Sequence, residues 1–423
     1  MNPRRFWLAL YLIANVYSIA YTLTMGELIG DLDGFQYTNI AVVLVAGIGV
    51  LLSYFGLMTV GFESLSRRFA VVDAMPEDSA SQRMMGRFVA GGQILFFLFN
   101  LAFGINQAGS TERVPLALYF IWILIPFDSL APLYFAQAPS SRIRVANLAI
   151  FVVSNLARGW SGPLLLVFSI EWMRAYRSNK KGFAGWVFPA LIPLGLVLYP
   201  VVLAVKWYLR ASSFAPTGSF MDVIDGLPSP TSDDYALLFQ TGIHQLMGRL
   251  QLASNVVDLW ANARTVQTAF QDHQILPFWL EGLHGIIFNR VTGHDALPIS
   301  GWFTNVGDFP PRPLEADSDW NTNTSWIGWF IACPELIPLY LLYTFALCYI
   351  SMRLMAKTSR NRISRDFIWL AWLLYLLPGW LGAFTSFIYG QLVFLAIRRL
   401  LERLATKRAR APMNPDAPLV EGA

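Results

Sequence analysis

Charge is what this chain has least of. Only 14% of its 423 residues are Asp, Glu, Lys or Arg, against about 25% in a soluble domain. Cysteine is nearly absent too: Cys333 and Cys348 are the two present. They fall on one predicted helix about 22 Å apart, at 1.5 Å per residue, too far to bridge. They read as small apolar packing residues. The four histidines lack the short His-to-His spacing of a zinc site. Internal repeats, low-complexity tracts, phosphate-binding glycine loops and dinucleotide fingerprints are missing as well.

What remains is apolar. Hydrophobic residues make up 55% of the chain, and mean hydropathy is +0.46. Apolar runs near 20 residues recur, enough to cross a hydrocarbon core of about 30 Å. The fold class is all-α, a polytopic helical membrane protein with about ten transmembrane helices. The predicted spans are 6–25, 39–61, 88–107, 115–137, 145–157, 161–173, 185–207, 327–350, 366–378 and 381–399. Two adjacent pairs are short, broken at Arg158-Gly159-Trp160-Ser161-Gly162 and at Pro378-Gly379-Trp380. The first span follows Arg4 and Arg5 without a small-x-small cleavage site, so it reads as a retained anchor.

Lys and Arg cluster in alternate loops: Arg67 to Arg87, Arg142 and Arg144, Arg174 to Lys181, Arg353 to Arg365, and the tail Arg398 to Arg410. All lie on the side of the N-terminus under the ten-span scheme, which predicts both termini in the cytoplasm. The net charge of +4 reflects this rim and is no nucleic-acid signature. The chain divides into an N-terminal bundle (1–207), a periplasmic loop region (208–326), C-terminal helices (327–400) and a basic tail (401–423).

An insert as long as 208–326 is expected to carry helices of its own. Asp234–Asn262 reads as one amphipathic helix, and 265–287 as holding another. Residues 297–319, rich in Pro, Gly and Asp, read as an irregular flap. On the first helix Gln240, His244, Gly248, Gln251, Asn255, Asp258 and Asn262 share a wet stripe. Arg249 projects instead among Ala253, Val256 and Trp260, where a guanidinium is costly unless an anion meets it. Either a loop carboxylate or a bound anion would do so.

Other cations also escape the basic side. Arg158, at the tip of the first short pair, reads as an interfacial snorkel or as a diphosphate clamp. Lys206 and Arg210 end the seventh span; Arg264, Arg290 and Arg312 lie in the insert. Glu281 and His284 are three residues apart, a local salt bridge or a carboxylate-oriented base. Asp31-x-Asp33 is an acidic loop or, more remotely, a cation site. Trp302, Trp320 and Trp326 are either packing residues or sugar-stacking platforms.

These features resemble the Wzy-type oligosaccharide repeat-unit polymerases, relatives of the O-antigen ligases. The likeness rests on a short paired span with Asn155-Leu156-Ala157-Arg158-Gly159, a large loop before the last spans, Met247-Gly248-Arg249-Leu250 within it, and Ser325-Trp326-Ile327-Gly328-Trp329 at the next span. Arg290 and Gly301 also match an Arg-x₁₀-Gly spacing of some members; Arg210 and Arg249 do not. The resemblance implies a GT-C-like arrangement and an inverting, metal-independent glycosyl transfer at the periplasmic face. The substrate would be oligosaccharide on undecaprenyl diphosphate, no cofactor is expected, and a chain-length regulator would be a partner. Arg158, Arg210, Arg249 and Arg290 would hold diphosphate; His244, or Glu281 with His284, would deprotonate the acceptor. An O-antigen ligase and a transporter or flippase of lipid-linked glycans remain as rivals.

Overall fold

The computed structural model describes residues 2–71, 79–106, 118, 124–160, 162–178, 182, 185–195, 197, 233–306, 322–359 and 361–410. Apart from the isolated backbone bridges Glu27–Gln36 and Ile275–Leu297, their regular structure is helical. In chain order the helices are α1 (Pro3–Met25), α2 (Ile40–Ser66), α3 (Ala80–Phe103), α4 (Phe127–Gln137), α5 (Arg142–Ala157), α6 (Gly162–Arg177) and α7 (Gly185–Gly195). The loop region supplies α8 (Asp233–Leu250), α9 (Ala253–Ala261), α10 (Ala263–Gln271), α11 (Leu283–Thr292), α12 (Ile299–Val306) and α13 (Gly328–Ala332). The chain returns through α14 (Pro334–Thr358), α15 (Arg362–Ala371, extended by a π-helical turn Trp372–Leu376) and α16 (Leu381–Arg410).

Among the described residues five helices are long and apolar enough to cross a membrane: α1, α2, α3, α14 and the Leu381–Thr406 part of α16. The expected short pair around Arg158 is present as α5 with α6; of the second, α15 is short, but α16 runs 30 residues and is itself long enough to cross. Spans 115–137 and 185–207 fall partly outside the described residues; α4 and α7 are the helices described within them. Helix starts are set by short polar caps. Asn2, Asn39, Ser79, Ser141 and Asn361 each accept a first-turn amide through the side chain, satisfying donors that the helix itself cannot.

The charged loops meet at one end of the bundle. Arg4 and Arg177 both grip Asp366, at 2.5 and 2.6 Å, and Arg4 also reaches Glu63 at 3.0 Å. Arg144 and Arg174 donate to the same Phe135 carbonyl, at 3.3 and 2.9 Å, and Arg144 pairs with Glu171. The feet of α5 and α6 are therefore adjacent, and Arg158 sits at their tip. This basic end holds the start of α1 and the ends of α2 and α6, the grouping that the positive-charge pattern predicts. The opposite end, the loop end, carries residues 26–39, 251–306 and 322–333.

The expected single helix 234–262 is two. The break at Gln251 and Leu252 arises because α1 provides a better partner than helix continuation. Asn15 Oδ1 accepts the Leu252 and Ala253 N–H groups at 2.8 and 3.1 Å. Asn15 Nδ2 donates to the Tyr11 carbonyl and to the Tyr54 hydroxyl. Asn15 lies ten residues before Met25, about 15 Å down the helix axis. The break is thus sunk well below the end of α1, where an unpaired amide would have no water to turn to.

Replacing Asn15 by Ala leaves two buried N–H groups without an acceptor. We expect a loss of about 2 kcal/mol or more, read as a lower melting temperature of the detergent-solubilised protein; an unchanged melting curve would contradict the assignment.

Candidate functional site

At the loop end, the short helical turn Gly30–Leu32 folds back against α8. The approach requires glycine on both sides. A Cβ on Gly248 would lie 2.4 Å from the Gly30 Cα, and one on Gly30 would lie 2.7 Å from the Gly248 carbonyl oxygen. This contact brings Asp31-x-Asp33 to the basic residues of α8. Arg249 Nη1 is 3.3 Å from Asp31 Oδ1, and His244 Nε2 is 3.0 Å from Asp33 Oδ1. The His244 ring also stands edge-on to Tyr21, 5.4 Å between centroids.

Arg249 is thus met by a loop carboxylate, and its side chain is 47% exposed, not sheltered on an apolar face. The helix break is the reason, because it rotates Ala253, Val256 and Trp260 away from the register that a continuous helix would give them. The wet stripe is also corrected: Gln251, Asn255 and Asp258 are all fully buried. Gln251 donates to the Ile29 carbonyl and accepts from Ser254 N–H and the Ser18 hydroxyl. Asn255 donates to Thr322 Oγ1 and to the Asn323 carbonyl, at 2.9 and 2.8 Å. Thr322 Oγ1 in turn donates to Asp31 Oδ2. Asp258 accepts from Asn262 Nδ2. Burial, followed by the Asp258 carboxylate, raises the Tyr37 hydroxyl above its ordinary pKa.

These groups form a polar seam between the start of α9 and residues 322–325. The tip between α15 and α16 clamps it: Ser325 and Trp326 amides donate to the Pro378 and Leu377 carbonyls, and Trp380 Nε1 donates to the Thr322 carbonyl. Ser325 is held at φ +64°, uncommon for a non-glycine residue. Gly379, at φ +88°, has no room for a side chain, since a Cβ would lie 2.5 Å from the Ser325 oxygen. Within the seam Asn255 Oδ1, Asn323 Oδ1, Thr324 Oγ1 and Ser325 Oγ are buried without a hydrogen-bond partner among the described residues. Such atoms are uncommon in folded proteins and mark a place for a polar ligand or water.

On the other face of α9 lies a groove. A cavity of about 740 Å³ runs between α2 (Val45 to Leu57), Val256 and Trp260 of α9, and Trp326 to Ile337. A second cavity of about 290 Å³ shares Leu57 and Trp326 with it and continues along Val60, Gly61 and Ser64 to Arg68. Together the two cavities line α2 from Val45 to Ser64, 20 residues whose ends are about 28 Å apart at 1.5 Å rise per residue, nearly a hydrocarbon thickness. Gly49, Gly56 and Gly61 line it, and the π-helical turn Tyr54–Gly61 lies between its two parts. Trp326 and Ile327, which wall the groove, directly follow Thr324 and Ser325 of the seam. The same two segments therefore build an apolar slot and a polar head.

The other expected site residues are not brought here. Arg158 is a structural ion pair: its side chain is 2% exposed, and Nη1 and Nη2 engage Asp128 at 2.9 and 2.7 Å. Asn155 Oδ1 and the Ser154 carbonyl accept two more of its five N–H groups, so four are engaged within the chain on a side chain with almost no exposed surface. Glu281 and His284 do not act as a pair. His284 Nε2 is 2.5 Å from the Trp279 carbonyl oxygen. Glu281 is buried and accepts the Ile299 amide at 3.1 Å, so it caps α12 and is closed to an acceptor sugar. Arg290 is exposed on α11, while Gly301, its spaced partner in sequence, is buried in α12. Arg210, Trp320 and Arg312 lie outside the described residues. Trp302 is core, its Nε1 on Gln274; of the two described platforms, Trp326 reaches the groove. The flap 297–319 begins with the ordered helix α12, and beyond Val306 it lies outside the described residues until Thr322. No family model, curated protein or solved structure matches the chain.

Several key residues escaped sequence reasoning. Asn15, Asn147 and Gln93 are amides inside apolar spans, a signal of buried polar pairing; Gln93 and Asn147 bond each other at 2.9 Å. Asp128 is the carboxylate that claims Arg158.

Two outcomes follow. Asp128→Ala strands the buried Arg158 guanidinium and should cost about 3–5 kcal/mol, whereas Arg158→Met with Asp128→Leu should recover most of the melting temperature; equal damage from both would point to a role beyond the pair. Glu281, outside the spans, is pushed up to about 8 by burial, against the pull of the Ile299 and Gly382 amides. Its folded pKa exceeds its unfolded value, so the folded state holds the extra proton. Stability should be full below about pH 4.5 and fall as pH rises toward 8. Melting scans from pH 5 to 9 should show this slope, and Glu281→Gln should flatten it.

Proposed function

We propose that this chain transfers glycosyl groups between lipid-linked oligosaccharides at the periplasmic face of a bacterial inner membrane, polymerising repeat units carried on undecaprenyl diphosphate. The observation that carries the reading is the groove along α2 with a polar seam built by the same segments. An amphiphile with a long alkyl tail and a hydroxyl-rich head suits both parts at once, and a hydrophilic substrate would leave the groove without purpose. In this reading the loop end is periplasmic, the basic end and both termini are cytoplasmic, and the fold is a GT-C-like arrangement of about ten spans.

Arg249 is the residue that meets diphosphate. It is half-exposed, and among the described residues the Asp31 carboxylate is its ion-pair partner, on one nitrogen at 3.3 Å, so an incoming anion competes with that contact. As the glycosidic bond to phosphate breaks, negative charge builds on the leaving diphosphate, and a fixed guanidinium stabilises it. His244, oriented by Asp33, receives the proton of the acceptor hydroxyl as that oxygen bonds to the anomeric carbon. The short turn Asp31-Leu32-Asp33 holds both residues, which places acid-base and charge-stabilising groups on one support.

Polymer length in a deletion strain complemented with variants tests this. Arg249→Ala should reduce polymerisation by about 10²–10³-fold at equal protein level, the loss typical of one transition-state donor. Gly56→Leu, which fills open groove space, should raise KM for lipid-linked substrate with little change in kcat. Full-length polymer from Arg249→Ala would sink the proposal; normal repeats that fail only to reach lipid A–core would favour a ligase.

A further inference from the structure

α11 (Leu283–Thr292) wears its apolar residues on the side away from the protein. Gly285 and Asn289 face inward: Gly285 is buried, with the Leu280 oxygen 1.7 Å from where a Cβ would stand, and Asn289 Nδ2 donates to the Ala296 carbonyl at 2.7 Å. At 100° per residue the opposite face carries Leu283, Ile287 and Val291. Val291 is 71% exposed, Leu283 and Ile287 are half-buried, and Ile286 and Phe288, on either edge of this face, are each more than a third exposed. A solvated helix would show the reverse pattern.

The position of the helix says what covers this face. Gly282, just before α11, packs on Gly382: its nitrogen lies 3.2 Å from where a Gly382 Cβ would be. The Glu281 carbonyl accepts the Thr385 hydroxyl at 3.1 Å. Gly382 and Thr385 belong to the first turns of the membrane-crossing segment Leu381–Thr406. α11 therefore starts at the level where that segment enters the bilayer. Trp279 and Trp380, one on each side of this junction, are both partly exposed, as expected of residues at a membrane–water boundary. His284 and Arg290 lie on the two flanks of the apolar stripe, where headgroups would be.

We propose that α11 is an interfacial helix whose Leu283–Ile287–Val291 face rests on the acyl chains of the loop-end leaflet. Its occupant is the lipid surface itself, and the assignment holds whatever reaction the protein performs. The ten residues of α11 extend about 15 Å, too short to cross and long enough to lie flat. Through Glu281 and Gly282 the helix is joined to the start of α16, so lipid packing at this surface fixes the height of α12 and the loop region above the membrane.

The test uses the full chain in nanodiscs of phosphatidylethanolamine and phosphatidylglycerol, with a spin label at Val291→Cys. The two native cysteines are buried. Leu342→Cys, exposed within the span Pro334–Thr358, supplies the lipid-facing reference. Collisions with lipid-soluble oxygen should exceed those with a water-soluble nickel chelate at Val291, as at Leu342. Preference for nickel would show a water-facing helix, and protection from both would show a face covered by protein; either result overturns the proposal. If Val291→Cys fails to fold, the label at Ile287→Cys, on the same face, decides by the same criterion.

Discussion

Two backbone N–H groups, those of Leu252 and Ala253, end on one amide oxygen of a membrane helix. Much of the loop end depends on that junction. A chain that leaves helical geometry below the membrane surface must find partners for every freed donor, since hydrocarbon offers none. Asn15 supplies them, and the Gln251 side chain completes the turn by bonding Ile29, Ser254 and Ser18. Once the break is fixed, α9 is free to take its own direction. One of its faces then closes against residues 322–325 and the other walls the groove. A continuous helix could not do both.

The fold class was legible because its causes are local and repetitive. Apolar runs predicted α1, α2, α3, α14 and α16, and the Lys/Arg distribution predicted which loops share an end. The gathering of Arg4, Arg177, Glu63 and Asp366 at one end of the bundle follows that grouping. The short pair around Arg158 was legible for the same reason, as basic residues flank both of its feet. The candidate site was read less well. Periodicity assigns a residue to a face but cannot say whether the face meets water, lipid or a polar neighbour. Gln251, Asn255 and Asp258 form a stripe on any helical wheel; that the stripe is buried depends on Thr322 and Ser18, far away in sequence. The break at Leu252 likewise depends on Asn15, a residue that sequence treats as one more member of an apolar span.

The arginines make the same point about charge. A cation in an apolar setting must be met by an anion, and both Arg158 and Arg249 are. The requirement does not say whether the anion belongs to the chain. Asp128 meets Arg158 with two oxygens and leaves the guanidinium almost no exposed surface; such a pair orders the α5–α6 tip, and breaking it strands a charge. Asp31 meets Arg249 at a single contact and leaves half of the side chain open. Geometry separates a locked cation from an available one where composition makes them equivalent. His244 gains in the same way: the acidic pair that looked like a plain loop turns out to orient an imidazole.

A long apolar groove in a membrane helix bundle has a cost that bears on its meaning. Empty space inside a packed interior forfeits dispersion contacts on every lining atom, and Gly56, with nothing near where a Cβ would stand, gives up a side chain that would fill it. The π-helical turn in α2 is a further departure from regular backbone, of a kind found mostly at functional positions. Packing alone explains neither feature. Both are explained if a lipid chain completes the packing, since the methylenes of the occupant replace the missing contacts. The strained Ser325 and the glycine facing it at 379 then have a place in the same scheme. They hold Trp326 at the wall of the groove and Thr324 at the head, so that a tail lying in one must present its polar end to the other.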